Sequence, residues 1–114
     1  FSEFCPALAK AISGADQIQQ STINRDGSVD ILASLTTRKK HSTFQFRFVR
    51  GSSPLGEMLV RDLYEKMRAN GAEAAWVVTN SDFTPGARTF SETRVVTLVN
   101  REKLVPYLGK AVKR

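Results

Sequence analysis

Hydrophobic and polar positions alternate most clearly between residues 28 and 50. In the first run Val29, Ile31, Ala33 and Leu35 share one face, and Asp30, Leu32 and Ser34 the other. In the second run Phe44, Phe46 and Phe48 stand on one face and Gln45 and Arg47 on the other. A period of two predicts strands over 28–36 and 43–50, joined by a basic tip at 37–42. Upstream, Asn24-Arg-Asp-Gly27 carries hairpin-turn chemistry, so the weakly alternating 16–23 is expected as an edge strand.

Elsewhere the period lengthens. Phe4, Leu8 and Ile12 predict a helix over 1–12, with Ser2 as its cap and Gly14 as its stop. Leu55, Leu59, Leu63 and Met67 mark a strongly amphipathic helix ended by Asn70-Gly71. Two i,i+4 pairs, Glu57 with Arg61 and Asp62 with Lys66, are expected on its exposed surface. The unbroken apolar run 74–79 predicts a strand covered on both faces. A short helix over 85–92 and a strand over 94–99 follow, and this succession predicts a parallel pair. Asn100 is expected to cap a last helix that Pro106 kinks or interrupts. The fold class is therefore mixed α/β: a central five-stranded mixed sheet flanked by helices.

Composition narrows the setting. A chain of 114 residues with 41% hydrophobic positions suits one domain with one core over 1–114. No apolar run is long enough to span a membrane, and no signal peptide is visible. The sequence opens on Phe1, so a piece of a longer protein is expected, and a membrane helix or partner domain in the remainder would leave no trace in this stretch. Cys5 is the single cysteine. That excludes a disulfide framework and a cysteine-rich zinc site, favours a reducing, cytoplasmic setting, and makes Cys5 a buried inert thiol. The lone His41 argues against a histidine metal site. A formal charge of +6 favours a polyanionic partner, nucleic acid before a membrane surface, against an equally weighted reading as a merely solvated basic surface.

The motifs, taken in order, resemble those of the Mrr-like restriction endonuclease catalytic domain, within the wider restriction-endonuclease-like fold. Phe-Ser-Glu-Phe4 resembles that family's first-helix pattern, and Arg25-Asp-Gly-Ser-Val-Asp30 its turn and strand. Phe44-Gln-Phe-Arg47 stands where the family has Gln-x-Lys. The stretches 76–84 and 96–104 resemble its apolar strand with Thr-x-x-x-Phe-Thr and its closing strand and helix. The resemblance implies phosphodiester cleavage in DNA with Mg²⁺, a hard cation that takes oxygen ligands and polarises a phosphate. It implies Asp30, Gln45 and Arg47 as catalytic positions and Asp30, Gln45 and Glu3 as metal ligands, with the Phe46 carbonyl a further oxygen. Gln45 and Arg47, two apart, point the same way, and a hairpin between the two strands would bring them to Asp30. The plainer reading is a solvent face on which Asp30 and Arg47 pair across the strands.

One letter departs from the pattern. Arg47 replaces the family lysine, and arginine stays protonated, is planar and cannot readily serve as a base. Weakened or lost cleavage is therefore favoured over an active Mg²⁺-dependent endonuclease. Asp26 is expected as a turn former, and Glu3 otherwise as a first-turn carboxylate favoured by the helix dipole. Arg38, Lys39, Lys40, Arg50, Ser52 and Ser53 are candidate DNA contacts, set against a solvated turn and an ordinary linker. The expected partners are DNA and the rest of a larger parent protein. A homodimer is a further expectation, since cutting both strands needs two sites. A non-catalytic domain binding an acidic protein or a membrane surface is the remaining alternative.

Overall fold

The two alternating runs pair as predicted. The structure, a computed structural model, describes residues 5–112. In it β2 (Val29–Thr36) and β3 (His41–Val49) run antiparallel, with Asp30 opposite Arg47 and Ile31 opposite Phe46. The preceding turn is also built as its residues dictate. Gly27 takes a φ of +89°, and Asp26 Oδ1 accepts from the Ser28 backbone N–H at 2.9 Å and from its hydroxyl at 2.6 Å. Asp26 is thus a turn former.

The remaining elements are α1 (Cys5–Ser13), β1 (Gln17–Ile23), α2 (Glu57–Ala69), β4 (Ala74–Thr79), α3 (Pro85–Glu92), β5 (Val96–Val99) and α4 (Arg101–Val112). The five strands lie in sequence order, with β1, β2 and β3 antiparallel and β4 and β5 added in parallel to β3. Two cores follow from the two sheet faces. On one, Val29, Ile31, Phe46, Phe48 and Val78 pack with Leu8 of α1 and Leu104 of α4. Phe46 stacks on Trp76 at 4.9 Å between ring centres. Cys5 is fully buried, and burial pushes its thiol up to about 11, against a smaller opposing pull from the amino terminus, as an inert thiol requires. On the other face Val60, Leu63 and Met67 of α2 pack with Phe90 of α3 and with Ala75, Val77 and Val96.

Three local expectations are corrected. Leu55 lies outside α2: it bridges to Phe83, donating its N–H to Asp82 O at 2.8 Å, and the helix begins after Gly56. The last strand starts at Val96 rather than Arg94, because the Arg94 guanidinium turns back onto the Phe90 ring at 3.9 Å and donates to Phe90 O. Helix α4 runs through Pro106 without a break. Both Pro106 and Glu102, whose carbonyl loses its partner, are exposed, so water can replace the missing bond. No helix among the described residues is long and apolar enough to cross a membrane.

A bulge in β1 bears on function. Ile18 pairs with Ala33, but Gln20 pairs with Leu32 and Thr22 with Asp30, so Gln19 is the extra residue. An inserted residue reverses the faces beyond it. Ile18 joins the α1 core, while Gln20 and Thr22 turn to the side that Asp30 and α2 occupy. This explains the weak alternation of 16–23.

Candidate active site

Pairing of β2 with β3 sets Asp30 beside Arg47, and Gln45 follows two residues earlier on the same face. That face is not a solvent face. Asp30, Gln45 and Arg47 are all buried, at 8%, 3% and 7% exposure, beneath α2. The plainer reading is therefore right about the pair and wrong about its surroundings.

The contacts form an alternating chain of charge. Arg47 Nε donates to Asp30 Oδ1 at 2.7 Å and its Nη2 to Oδ2 at 3.0 Å, a two-pronged fork. Its Nη1 donates to Asp62 Oδ2 at 2.7 Å. Lys66 Nζ donates to Asp30 Oδ2 at 2.9 Å, and Asn24 Nδ2 to the same oxygen at 3.1 Å. Gln45 Oε1 accepts from Asn70 Nδ2 at 2.7 Å, and its own amide reaches Ile31 O at 3.4 Å. Asp62, Lys66 and Asn70 are successive i,i+4 positions of one stripe of α2 and its cap, and each meets the sheet. The expected surface pair of Asp62 with Lys66 is not formed, because both side chains are drawn to the buried Asp30–Arg47 pair. The Glu57–Arg61 pair does form.

Burial alone would raise the Asp30 carboxyl, but the hydrogen bonds from Arg47 and Lys66, with the Arg47 charge, hold it below the usual range. Burial likewise opposes the Arg47 charge, and Asp30 and Asp62 more than restore it, so Arg47 stays protonated. For an acid depressed in the folded state, the stabilising contribution is full above the unfolded value, about 3.9. It is lost as pH falls through the folded value. Urea midpoints between pH 7 and pH 2 are expected to fall below about pH 4, and less steeply in Asp30→Asn.

A cleft of about 270 Å³ opens between β1, β2, β3 and α2. Asp30, Gln45, Lys66, Asn24 and Asn70 line it, with Gln20 and Thr22 contributed by the bulged strand; Arg47 does not. The Mg²⁺ implied by the resemblance can be tested against these donors. A carboxylate has about four lone-pair directions, two on each oxygen. Asp30 accepts three hydrogen bonds on Oδ2 and one on Oδ1, three of the four from cationic groups, so a single direction on Oδ1 is left, beside two cations. The Gln45 oxygen is taken by Asn70, and Phe46 lies mid-sheet between Ile31 and Trp76. Among the described residues no group of three or more His, Cys, Asp or Glu can hold a metal. The described donors in this arrangement do not fit a divalent cation. Glu3 lies outside the described residues.

The candidate DNA contacts do not gather here. Arg38, Lys39 and Lys40 are exposed at the hairpin tip, beyond the end of β2 at Thr36, which itself lies six residues, or about 20 Å, from Asp30. Lys40 pairs with Glu73 at 2.9 Å. Arg50, Ser52 and Ser53 are exposed beyond the other end of β3, and Ser52 lines a separate hollow with Asn80, Ser81 and Arg101. Thr84 caps α3 through Ala87 N, and Trp76 is packed against the core. Sequence reasoning missed Lys66, Asp62, Asn70 and Asn24 as neighbours of Asp30. The signal available was the i,i+4 run of polar residues flanking the apolar stripe of α2.

The restriction endonuclease family model Mrr_cat matches residues 1–108. No curated protein matches the chain by sequence. Two solved structures share its fold. The DNA modification-dependent restriction endonuclease AspBHI matches with a TM-score of 0.65 and 18% identity, over 96% of this chain and 30% of its own. The MspJI restriction endonuclease in complex with a 27-mer oligonucleotide matches with a TM-score of 0.59 and 14% identity, over 100% of this chain and 32% of its own. The chain thus spans about a third of the length of the solved proteins it matches.

Proposed function

Because the chain belongs to the Mrr_cat restriction endonuclease family, we propose that it is a nuclease-type domain that engages duplex DNA and cleaves it weakly or not at all. One observation carries the second half of this reading: the Arg47 fork, with Lys66 and Asn24, engages Asp30, the only carboxylate among the described residues that line the cleft. The charge of the chain, +6, supports the first half. So do three arginines braced on aromatic rings of the α2–α3 surface: Arg61 and Arg94 over Phe90 at 4.6 and 3.9 Å, and Arg68 over Tyr64 at 5.9 Å. The complex of the MspJI structure with an oligonucleotide is consistent with DNA as partner. The share of the matched proteins that this chain spans favours a role as one part of a larger protein.

Supercoiled plasmid, incubated with the purified domain and Mg²⁺ or Mn²⁺, is expected to stay supercoiled while the domain shifts the DNA in a salt-dependent manner. Metal-dependent nicking that Asp30→Ala abolishes would replace this reading with an active endonuclease. Absence of salt-dependent DNA binding would leave an interaction domain for an acidic protein or a membrane surface.

A further inference from the structure

We infer that Lys66, carried by α2 and not by β3, is the residue of this cleft that meets a DNA phosphodiester; the inference rests on the DNA-engaging reading above. Two cations touch Asp30, and they are not equivalent. The Arg47 side chain is 8% exposed and is tied by three hydrogen bonds to two carboxylates. It does not line the cleft. Lys66 is 44% exposed, lines the cleft, and is tied to Asp30 alone.

Release therefore has different consequences for the two. If Arg47 left, Asp30 would lose both prongs of its fork and Asp62 its partner. If Lys66 swings outward, Asp30 keeps the Arg47 fork and the Asn24 amide, so no buried charge is orphaned. A half-exposed pair of this kind contributes little stability and is readily exchanged. Lysine also suits the task, since a compact ammonium on a four-carbon stem presents three donors that reorient to an incoming phosphate oxygen.

The lining around Lys66 fits an anion. Among the described residues Asp30 is its sole acid, and Arg47 neutralises it from behind. The remaining polar groups are neutral amides and a hydroxyl, among them Gln20 from β1 and Asn70 from the cap of α2. The bulge at Gln19 is what turns Gln20 and Thr22 inward. The α2 stripe places Asn70 one turn beyond Lys66. The arrangement offers a phosphate one mobile cation and neutral hydrogen-bonding groups, without a competing free carboxylate. In this chain the cation offered to a phosphate comes from the helix packed over β3, while Arg47 on β3 stays bound to its carboxylates.

The test is a salt titration of binding to a fluorescent duplex oligonucleotide of mixed sequence, with EDTA present so that no metal contributes. Lys66→Met is expected to reduce the slope of log K against log[salt] by about 0.9, and affinity at low salt by about tenfold, as loss of one phosphate contact does. Lys66→Arg keeps the slope. Lys10→Met, which removes an exposed charge on α1 across the sheet, leaves the slope unchanged. Urea midpoints of all variants near that of wild type establish that each is folded. A wild-type slope in Lys66→Met, or an equal loss in Lys10→Met, overturns the assignment while DNA engagement stands. A wild type that binds without salt dependence overturns both.

Discussion

Replacing Asp30 by alanine is expected to lower the unfolding free energy by about 3–5 kcal/mol, the range for breaking a buried ion pair from one side. Its carboxylate faces Arg47 at 8% exposure, so alanine leaves a buried guanidinium with Asp62 as its remaining charged partner. For a domain whose total stability is about 5–15 kcal/mol, that is a large fraction. The urea midpoint is expected to drop by about 2 M at a slope of about 2 kcal/mol/M. Arg47→Met is expected to cost a similar amount, since Asp30 loses both prongs of the fork and keeps only the half-exposed Lys66 and the Asn24 amide. The two losses will not add. Asp30→Leu with Arg47→Met removes both charges together, and apolar replacement of a buried pair is often neutral. Recovery of most of the lost stability in that double variant separates a structural pair from an open catalytic carboxylate. If Asp30→Ala instead unfolds within about 1 kcal/mol of wild type, the carboxylate stands free and the closed-site reading fails.

The alternating runs made the β2–β3 hairpin legible, and with it the neighbourhood of Asp30, Gln45 and Arg47. Period two fixes which residues share a face, and the polar, basic stretch between the two runs fixes where the chain reverses. Which side of the sheet would be covered was not legible. Polar residues on a strand face read as solvent-facing unless a helix is known to lie over them, and only packing places α2 above Asp30. For the same reason the sequence alone places Lys66 on the surface. Asp62 and Lys66 flank the apolar stripe formed by Val60, Leu63 and Met67, where a side chain can reach inward or outward. An i,i+4 pair of opposite charge looks satisfied within its own helix, yet a buried pair of opposite charge across the interface competes for both ends and wins. The Gln19 bulge was hidden because an inserted residue looks like weak alternation. Pro106 misled because the cost of a helical proline depends on whether water can reach the carbonyl it leaves unpaired.

Arg47→Lys is expected to open the site. The guanidinium spans both oxygens of Asp30 and one of Asp62 through three nitrogens. A single ammonium cannot occupy all three places with the same geometry, so at least one carboxylate oxygen is released. Lysine also adds what arginine lacks, a group able to give up its proton when desolvated. Loss of charged hydrogen bonds is expected to lower stability by about 1.5–3 kcal/mol, leaving a folded protein that urea titration can verify. In that protein, nicking of supercoiled plasmid in Mn²⁺ or Mg²⁺ is expected to exceed wild type by about 10² or more, the contribution of one positioned acid–base group. Adding Asp30→Ala should erase the gain. If Arg47→Lys folds, binds DNA as wild type does and still does not nick, the arginine is not what closes the site. The loss of cleavage would then lie in the donor count, with Asp30 the single carboxylate among the described residues lining the cleft and Gln45 held by Asn70. Arg47→Lys with Gln45→Glu would be the variant that separates the two causes, because it restores a second carboxylate on the strand that already carries the lysine.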